Sequence, residues 1–377
     1  MEQPSNNVTK KLRVNLFVPP PFTPNIKGLG ELQKNFCNEC HYASSGRWAL
    51  IHILEAKQLR GKILIPAFIC DSVNEVLIRE GFTPCFYDID EKDLNPSVDS
   101  LKKGLEREKP VAVVVPSLYG NPADLIDIER VCRDRQVFMI DDAAQSFGAK
   151  LGGKNVGQYG DAGFFSFSPG KNLAGAMGAY WRIAGDKFIP PKLTKGISLQ
   201  KRIIWLYWKV FRYRANRVDL RRTSILRKLT ALAYRVFDLK YQNVCRFELP
   251  LLGGLLAALF GTEFSFRFRQ WDELSKCVDF AGGWRVVKAI RGMAYPNKFV
   301  LVAPSIESAN KLERFLSEFQ ITFGKGYLPL FKDPAIVPIT LDVFNRVVEL
   351  PLENDKIRHK KILETLILYF EKKNEIL

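Results

Sequence analysis

The chain has 377 residues, 47% hydrophobic and 25% charged, a balance that can fill cores and excludes a disordered or fibrous class. Its 56 Lys and Arg against 40 Asp and Glu give a net charge of +16, yet thirteen basic residues and only two acidic ones lie between Lys195 and Lys240. The basic character therefore belongs to one segment, and no nucleic-acid partner is expected.

Residues 1 to 27 read as an N-terminal arm, and the opening MEQPSNNVTKKLRVNLF lacks the apolar core of a signal peptide, so the expected compartment is the cytoplasm. No apolar run reaches the roughly 18 residues of a spanning helix. Cys37, Cys40 and His41 match the spacing of a haem attachment, a chemistry that follows export, and they lack the second ligand pair of a zinc finger. No metal is expected. Seven scattered cysteines suit reduced, buried thiols better than a disulfide framework.

Further along, SGRWALIHILEAK (45–57) has the periodicity of an amphipathic helix with Ser44 or Ser45 as its cap. Lys62 to Pro66 predicts a strand, Asp71 to Glu80 a helix, and Pro84 to Ile89 a further strand. The β-branched runs Val111–Pro116 and Val137–Asp141, with a helical stretch from Asp124 to Asp134 between them, are of the kind that parallel sheets bury on both faces. Strands are also expected at Ala162–Ser168 and Gly178–Ile183. The alternation reads as α/β with crossovers joining parallel strands. Towards the end, Phe299–Val302 and Val347–Leu350 predict strands, and 305–319 and 355–372 predict helices, forming a smaller α/β unit.

Three features in this pattern carry chemistry. Asp141 and Asp142 stand at the C-terminal end of a strand, where open α/β sheets bind ligands. Ser45-Gly46-Arg47 opens a helix whose free N–H groups favour a phosphate. Lys171 follows its strand by three residues, after the turn Pro169-Gly170. An amine for a Schiff base, a carboxylate for a pyridine nitrogen and a phosphate cradle are what pyridoxal phosphate needs.

The ordered stretches SGRWAL (45–50), ILIPAFICDSV (63–73), TPCFYDID (83–90), SLYGNPAD (117–124), IDDAAQSFGA (140–149) and GDAGFFSFSPGKNL (160–173) resemble the DegT/StrS-type sugar aminotransferases, fold-type-I pyridoxal-phosphate enzymes. The likeness runs from about Gly28 to the C-terminus. It implies a large, mostly parallel sheet domain, here 28–245 with a basic helical insertion at about 195–240, and a smaller C-terminal α/β domain, 246–377. By position, Lys171 resembles the Schiff-base lysine that also moves the proton, and Asp142 the carboxylate that keeps the pyridine nitrogen protonated. Gln145 would meet the ring hydroxyl, while Ser166 and the backbone of Gly46 and Arg47 would hold the phosphate. The family completes each site from a neighbouring subunit, which implies a homodimer, and Asn243 matches the lent residue.

Where the family has Ser-Gly-Thr this chain has Ser-Gly-Arg, Phe68 is the nearest counterpart of a stacking aromatic, and Phe331 replaces a histidine of the substrate region. The implied activity is transfer of an amino group, with glutamate as donor, to a nucleotide-linked keto sugar for surface polysaccharide or another glycoconjugate. Two other readings stand beside it. One is a sugar dehydratase, whose members typically carry histidine in place of the lysine; the other is a non-catalytic membrane-associated scaffold. The stretch 201–240, with Trp205, Trp208 and flanking arginines, is suited to lying on the inner face of an anionic membrane.

Overall fold

The computed structural model describes residues 40–43, 45–166, 171–172, 179–185, 263–278, 280, 282–352 and 355–374. The expected domain divisions at 27–28 and 245–246, the insertion at 195–240 and Asn243 lie outside them.

In chain order the elements are β1 (His41–Ala43), α1 (Gly46–Ala56), β2 (Lys62–Pro66), α2 (Asp71–Arg79), β3 (Thr83–Tyr87), α3 (Val98–Glu108), β4 (Ala112–Pro116), α4 (Leu125–Asp134), β5 (Phe138–Asp142), β6 (Lys150–Leu151), β7 (Lys154–Asn155), β8 (Ala162–Ser166) and β9 (Ala179–Ile183). There follow α5 (Glu263–Ser275), β10 (Arg285–Val286), β11 (Lys298–Val302), α6 (Ile306–Glu318), β12 (Gly324–Lys325), α7 (Pro338–Val343), β13 (Val347–Pro351) and α8 (Lys356–Asn374).

The large sheet has the order β1-β9-β8-β5-β4-β2-β3. Pairing is parallel from β3 through β2, β4 and β5 to β8. It is antiparallel where β9 meets β8 and β1; the sequence reading placed a strand at Gly178–Ile183 but neither β1 nor the antiparallel direction. Period-two alternation sends Leu64, Val113, Val115 and Met139 to a core with α3 and α4, and Ile63, Ile65, Val114 and Ile140 to a core with α1 and α2. Each such side chain, fully buried, contributes about 1.5–3 kcal/mol. This is why the strands read as unbroken apolar runs.

The small sheet, order β10-β11-β13-β12, is antiparallel. One face, with Phe299, Leu301, Val348 and Leu350, packs among residues of α5, α6 and α8. The other, with Val300, Val302 and Val347, packs against Phe68, Leu118 and Tyr119 of the large sheet's loops.

Cys70, Cys85, Cys132 and Cys277 are free thiols, as the sequence reading expected. Cys40 corrects it, being disulfide-bonded. Such a bond needs only two cysteine Cα atoms within about 7 Å, so a single bridge can form without a disulfide framework.

Candidate active site

The C-terminal ends of β2, β4, β5 and β8 share one edge of the large sheet, and the expected residues gather there. Strand β5 runs two residues further than its apolar pattern, so Asp141 and Asp142 are its last positions and point to opposite faces. Asp141 is fully buried, and its Oδ2 accepts hydrogen bonds from the backbone N–H groups of Gly157 (2.6 Å) and Tyr159 (3.0 Å). Burial pushes its carboxyl up to about 7, against those two hydrogen bonds and the charge of Arg182. Its work is to shape the loop before β8.

Asp142 faces the other way. Its Oδ1 accepts from the Ala144 N–H at 2.9 Å, and burial pushes its carboxyl up to about 6 against the pull of that bond and of Lys171. Lys171 itself is partly buried. Burial lowers the proton affinity of its amine; the Cys70 thiol, Asp142 and Glu349 act to raise it, and Lys298 to lower it. The next residue, Asn172, is buried and donates from Nδ2 to the Tyr295 carbonyl, which anchors the segment.

The N-terminus of α1 meets the end of β8 at this edge. Ser45 caps the helix, accepting from the Trp48 N–H at 3.4 Å, and the first turn carries no acidic residue. A Cβ at Gly46 would stand 3.2 Å from Ser166 Cβ and 3.3 Å from the Phe164 ring. Only glycine lets the helix start approach the buried Ser166 so closely. The start of α1 at Gly46 and Arg47, with its helix dipole, thus lies beside the Ser166 hydroxyl, a setting of the kind that suits a phosphate.

Gln145 joins the two sheets. Its Oε1 accepts from the Tyr119 N–H at 3.3 Å, and its Nε2 donates to the Tyr327 hydroxyl. Tyr119 stands at φ 58°, and the next residue, Gly120 at φ +88°, lies so close to Tyr295 that a Cβ there would fall 1.8 Å from its carbonyl oxygen. Glycine is obligatory at that crossing.

Lys171, Asp142, Gln145, Ser166, Gly46 and Arg47 are thus on one edge, while Asn243 falls outside the described residues. Phe68 corrects the sequence reading. It is fully buried and sits edge-on to Tyr327 at 5.4 Å, so it fills the contact between the sheets instead of offering a face to a ligand. Phe331 stacks on Phe86 at 5.1 Å. Sequence reasoning missed Tyr119, Tyr327, Lys298 and Glu349. Glu349 carried a signal, since a charge inside VVELP interrupts an apolar strand.

Residues 31–179 match the family model of the DegT/DnrJ/EryC1/StrS aminotransferase family. The chain is similar to UDP-N-acetyl-3-dehydro-alpha-D-glucosamine 3-aminotransferase of Acidithiobacillus ferrooxidans, 30% identical over 152 residues that cover 40% of this chain and 41% of that one. It is also similar to GDP-4-keto-6-deoxy-D-mannose 3-dehydratase of Yersinia pseudotuberculosis, 35% identical over 119 residues, 31% of this chain and 30% of that one. The matches therefore span well under half of these relatives. Among solved structures, the PLP form of a Streptococcus pneumoniae protein described as a sugar aminotransferase superposes with a TM-score of 0.71 at 16% identity, over 96% of this chain and 99% of that one. At that identity the likeness establishes the fold.

Proposed function

We propose that the chain, whose residues 31–179 match the model of the DegT/DnrJ/EryC1/StrS aminotransferase family, is a pyridoxal-phosphate-dependent aminotransferase acting on a nucleotide-linked keto sugar. Glutamate is the proposed amino donor, and surface polysaccharide or another glycoconjugate the destination. The observation that carries the reading is the juxtaposition of the Lys171 amine and the Asp142 carboxylate at the strand edge that also holds the Gly46–Ser166 cradle.

The residues fit that cofactor. The cradle, held open by the missing Cβ of Gly46, suits a phosphate at the start of α1. Asp142, whose Oδ1 is fixed by Ala144, would hold a ring nitrogen, and Gln145 lies three residues on for a ring hydroxyl. When bound, the cofactor supplies a carbonyl carbon for an amine and a ring that takes up an electron pair.

Everything else falls to the chain. Asp142, with a carboxyl near 6, is ionised at neutral pH and can keep a ring nitrogen protonated. Burial favours the uncharged amine of Lys171, the form that attacks a carbonyl and accepts a proton. The packed contact of Phe68, Leu118 and Tyr119 with the small sheet excludes water from that side.

A second reading, dehydration, is favoured by the likeness to the 3-dehydratase. Lys171 weighs against it, because dehydratases of this family typically carry histidine there. The altered pocket residues, Phe331 among them, favour a scaffold, and Asp142, Gln145, Ser166 and Lys171 weigh against that. We also propose a homodimer in which Asn243 completes the neighbouring site, and peripheral contact of 201–240 with the inner membrane face. Among the described residues no helix is long and apolar enough to cross a membrane.

The test is the visible spectrum of the protein with pyridoxal phosphate, before and after glutamate. Conversion of the bound cofactor to its aminated form is expected; failure to take up the cofactor would favour the scaffold.

A further inference from the structure

The direction of the hydrogen bonds around Gln145 is forced by its partners. A backbone N–H can only donate, so the bond from the Tyr119 N–H fixes Oε1 of Gln145 as an acceptor. Nε2 is thereby turned towards Tyr327 and donates to its hydroxyl oxygen. That oxygen accepts in this contact, so the hydroxyl's own hydrogen is left to be given elsewhere. Among the described residues, neither this hydrogen nor the second one on Nε2 meets a hydrogen-bonded acceptor. Two donors thus stand side by side, one from the loop after β5 and one from the small unit.

The fold holds Tyr327 in this place from several sides. Strand β12 pairs with β13 in the register Gly324↔Glu349 and Lys325↔Val348, and Tyr327 follows two residues later. A Cβ at the intervening Gly326 would stand 2.9 Å from Val347 Cβ and 3.1 Å from the Phe68 ring, so glycine lets the segment enter the contact between the sheets. The Tyr327 ring meets Phe68 edge-on, and three residues further the Leu330 N–H donates to the Ala67 carbonyl at 3.1 Å. Burial first, then Glu349, the Cys70 thiol and Asp142, hold the Tyr327 hydroxyl well above its ordinary range, against the pull of Gln145. It therefore keeps its hydrogen at neutral pH and can donate it.

Paired donors suit a single oxygen that carries negative charge, because a hydrogen bond to an ionised acceptor is roughly twice as strong as a neutral one. We propose that Tyr327 is a cofactor-binding residue that donates, beside Gln145, to the ring oxygen of pyridoxal phosphate and favours that oxygen as an anion. The proposal rests on the functional reading above, in which Gln145 serves the ring hydroxyl and Asp142, three residues before it, the ring nitrogen. The small unit then adds a group of its own to a site otherwise built at the end of the large sheet.

The test compares two ligands that differ in the ring hydroxyl. The full-length protein, freed of bound carbonyl compounds with hydroxylamine, is titrated by equilibrium dialysis with pyridoxal phosphate and with 3-deoxypyridoxal phosphate, which lacks that group. The wild type should prefer pyridoxal phosphate. Tyr327→Phe keeps the ring against Phe68 and removes the hydroxyl; the preference should fall about tenfold, with affinity for the deoxy compound unchanged. Gln145→Ala is measured with and without Tyr327→Phe, and a further fall is expected in the double variant, because Tyr327 donates for itself and not through Gln145.

An unchanged preference in Tyr327→Phe, an equal loss for both ligands, or no further fall in the double variant overturns the proposal. So does an effect of Tyr327→Phe confined to the affinity for glutamate, which would give the hydroxyl to the carboxylate of the amino donor. Failure of the wild type to bind pyridoxal phosphate would overturn the functional reading and the proposal with it, whereas the other outcomes overturn the proposal alone.

Discussion

The carboxylate of Asp88, just past β3, accepts hydrogen bonds from both the backbone N–H (2.9 Å) and the hydroxyl (2.6 Å) of Thr340, 252 positions further along the chain. It also accepts from the Ile339 N–H at 2.7 Å, so one buried carboxylate satisfies the exposed donors at the start of α7. Asp88→Ala leaves these donors without a charged partner, and the expected cost is about 3 kcal/mol. A lowered urea midpoint, with faster amide exchange in α7, is the measurement; an unchanged midpoint would show that the two sheets are held together elsewhere.

Lys171→Ala should lose turnover by about 1,000-fold or more, since both attack and proton transfer rest on the amine. Affinity for the phosphate end of the cofactor should largely persist, because Gly46 and Ser166 are untouched. In the wild type, borohydride should fix the cofactor on Lys171, as read by peptide mass. Labelling of another lysine would remove the assignment.

The two aspartates of β5 should behave differently. Asp142→Asn is expected to cut turnover by about 100-fold or more, whereas Asp141→Asn should retain most of its turnover and show its effect in the 157–159 loop. For Asp142 the carboxyl titrates near 6, so cofactor affinity should weaken as pH falls through that value. In Asp142→Asn this dependence should be gone. Equal losses in the two variants would mean that the wrong aspartate has been assigned.

His52 on α1 lies between Trp48 (5.9 Å) and Trp181 (6.0 Å), and burial pushes its imidazole down to about 4 from the ordinary 6.5. The folded protein therefore holds it neutral while the unfolded chain takes up a proton. Its contribution is present above pH 6.5 and is lost as pH falls through about 4. Between pH 7 and pH 5 the wild type should lose more stability than His52→Phe, measured as the difference in urea midpoints. Parallel curves would show that His52 does not carry this dependence.

The segment 201–240 should bring the protein to vesicles containing anionic lipid, more weakly at high salt and less when Trp205 and Trp208 are replaced by Ala. Each basic residue near such a surface contributes about 1 kcal/mol. A protein that stays in the supernatant at low salt would make the segment a packing element.

Local chemistry was legible in the residues themselves. Unbroken β-branched runs announced β4 and β5, the pair Asp141-Asp142 marked a strand end, and Ser45-Gly46 marked a helix start open to an anion. The site residues on β5, β8 and α1 could be read because each sits at the end of an element whose period is written in its own neighbours. The antiparallel edge β1–β9 could not, since the periodicity of AYWRI is the same whichever way its partner runs. Nor could the meeting of Gln145 with Tyr327 or of Asp88 with Thr340. Those pairings depend on how one sheet lies on the other, and that is decided by shape and by the burial of Phe68, Tyr119, Val300 and Val347, groups distant in sequence whose contacts leave no local pattern.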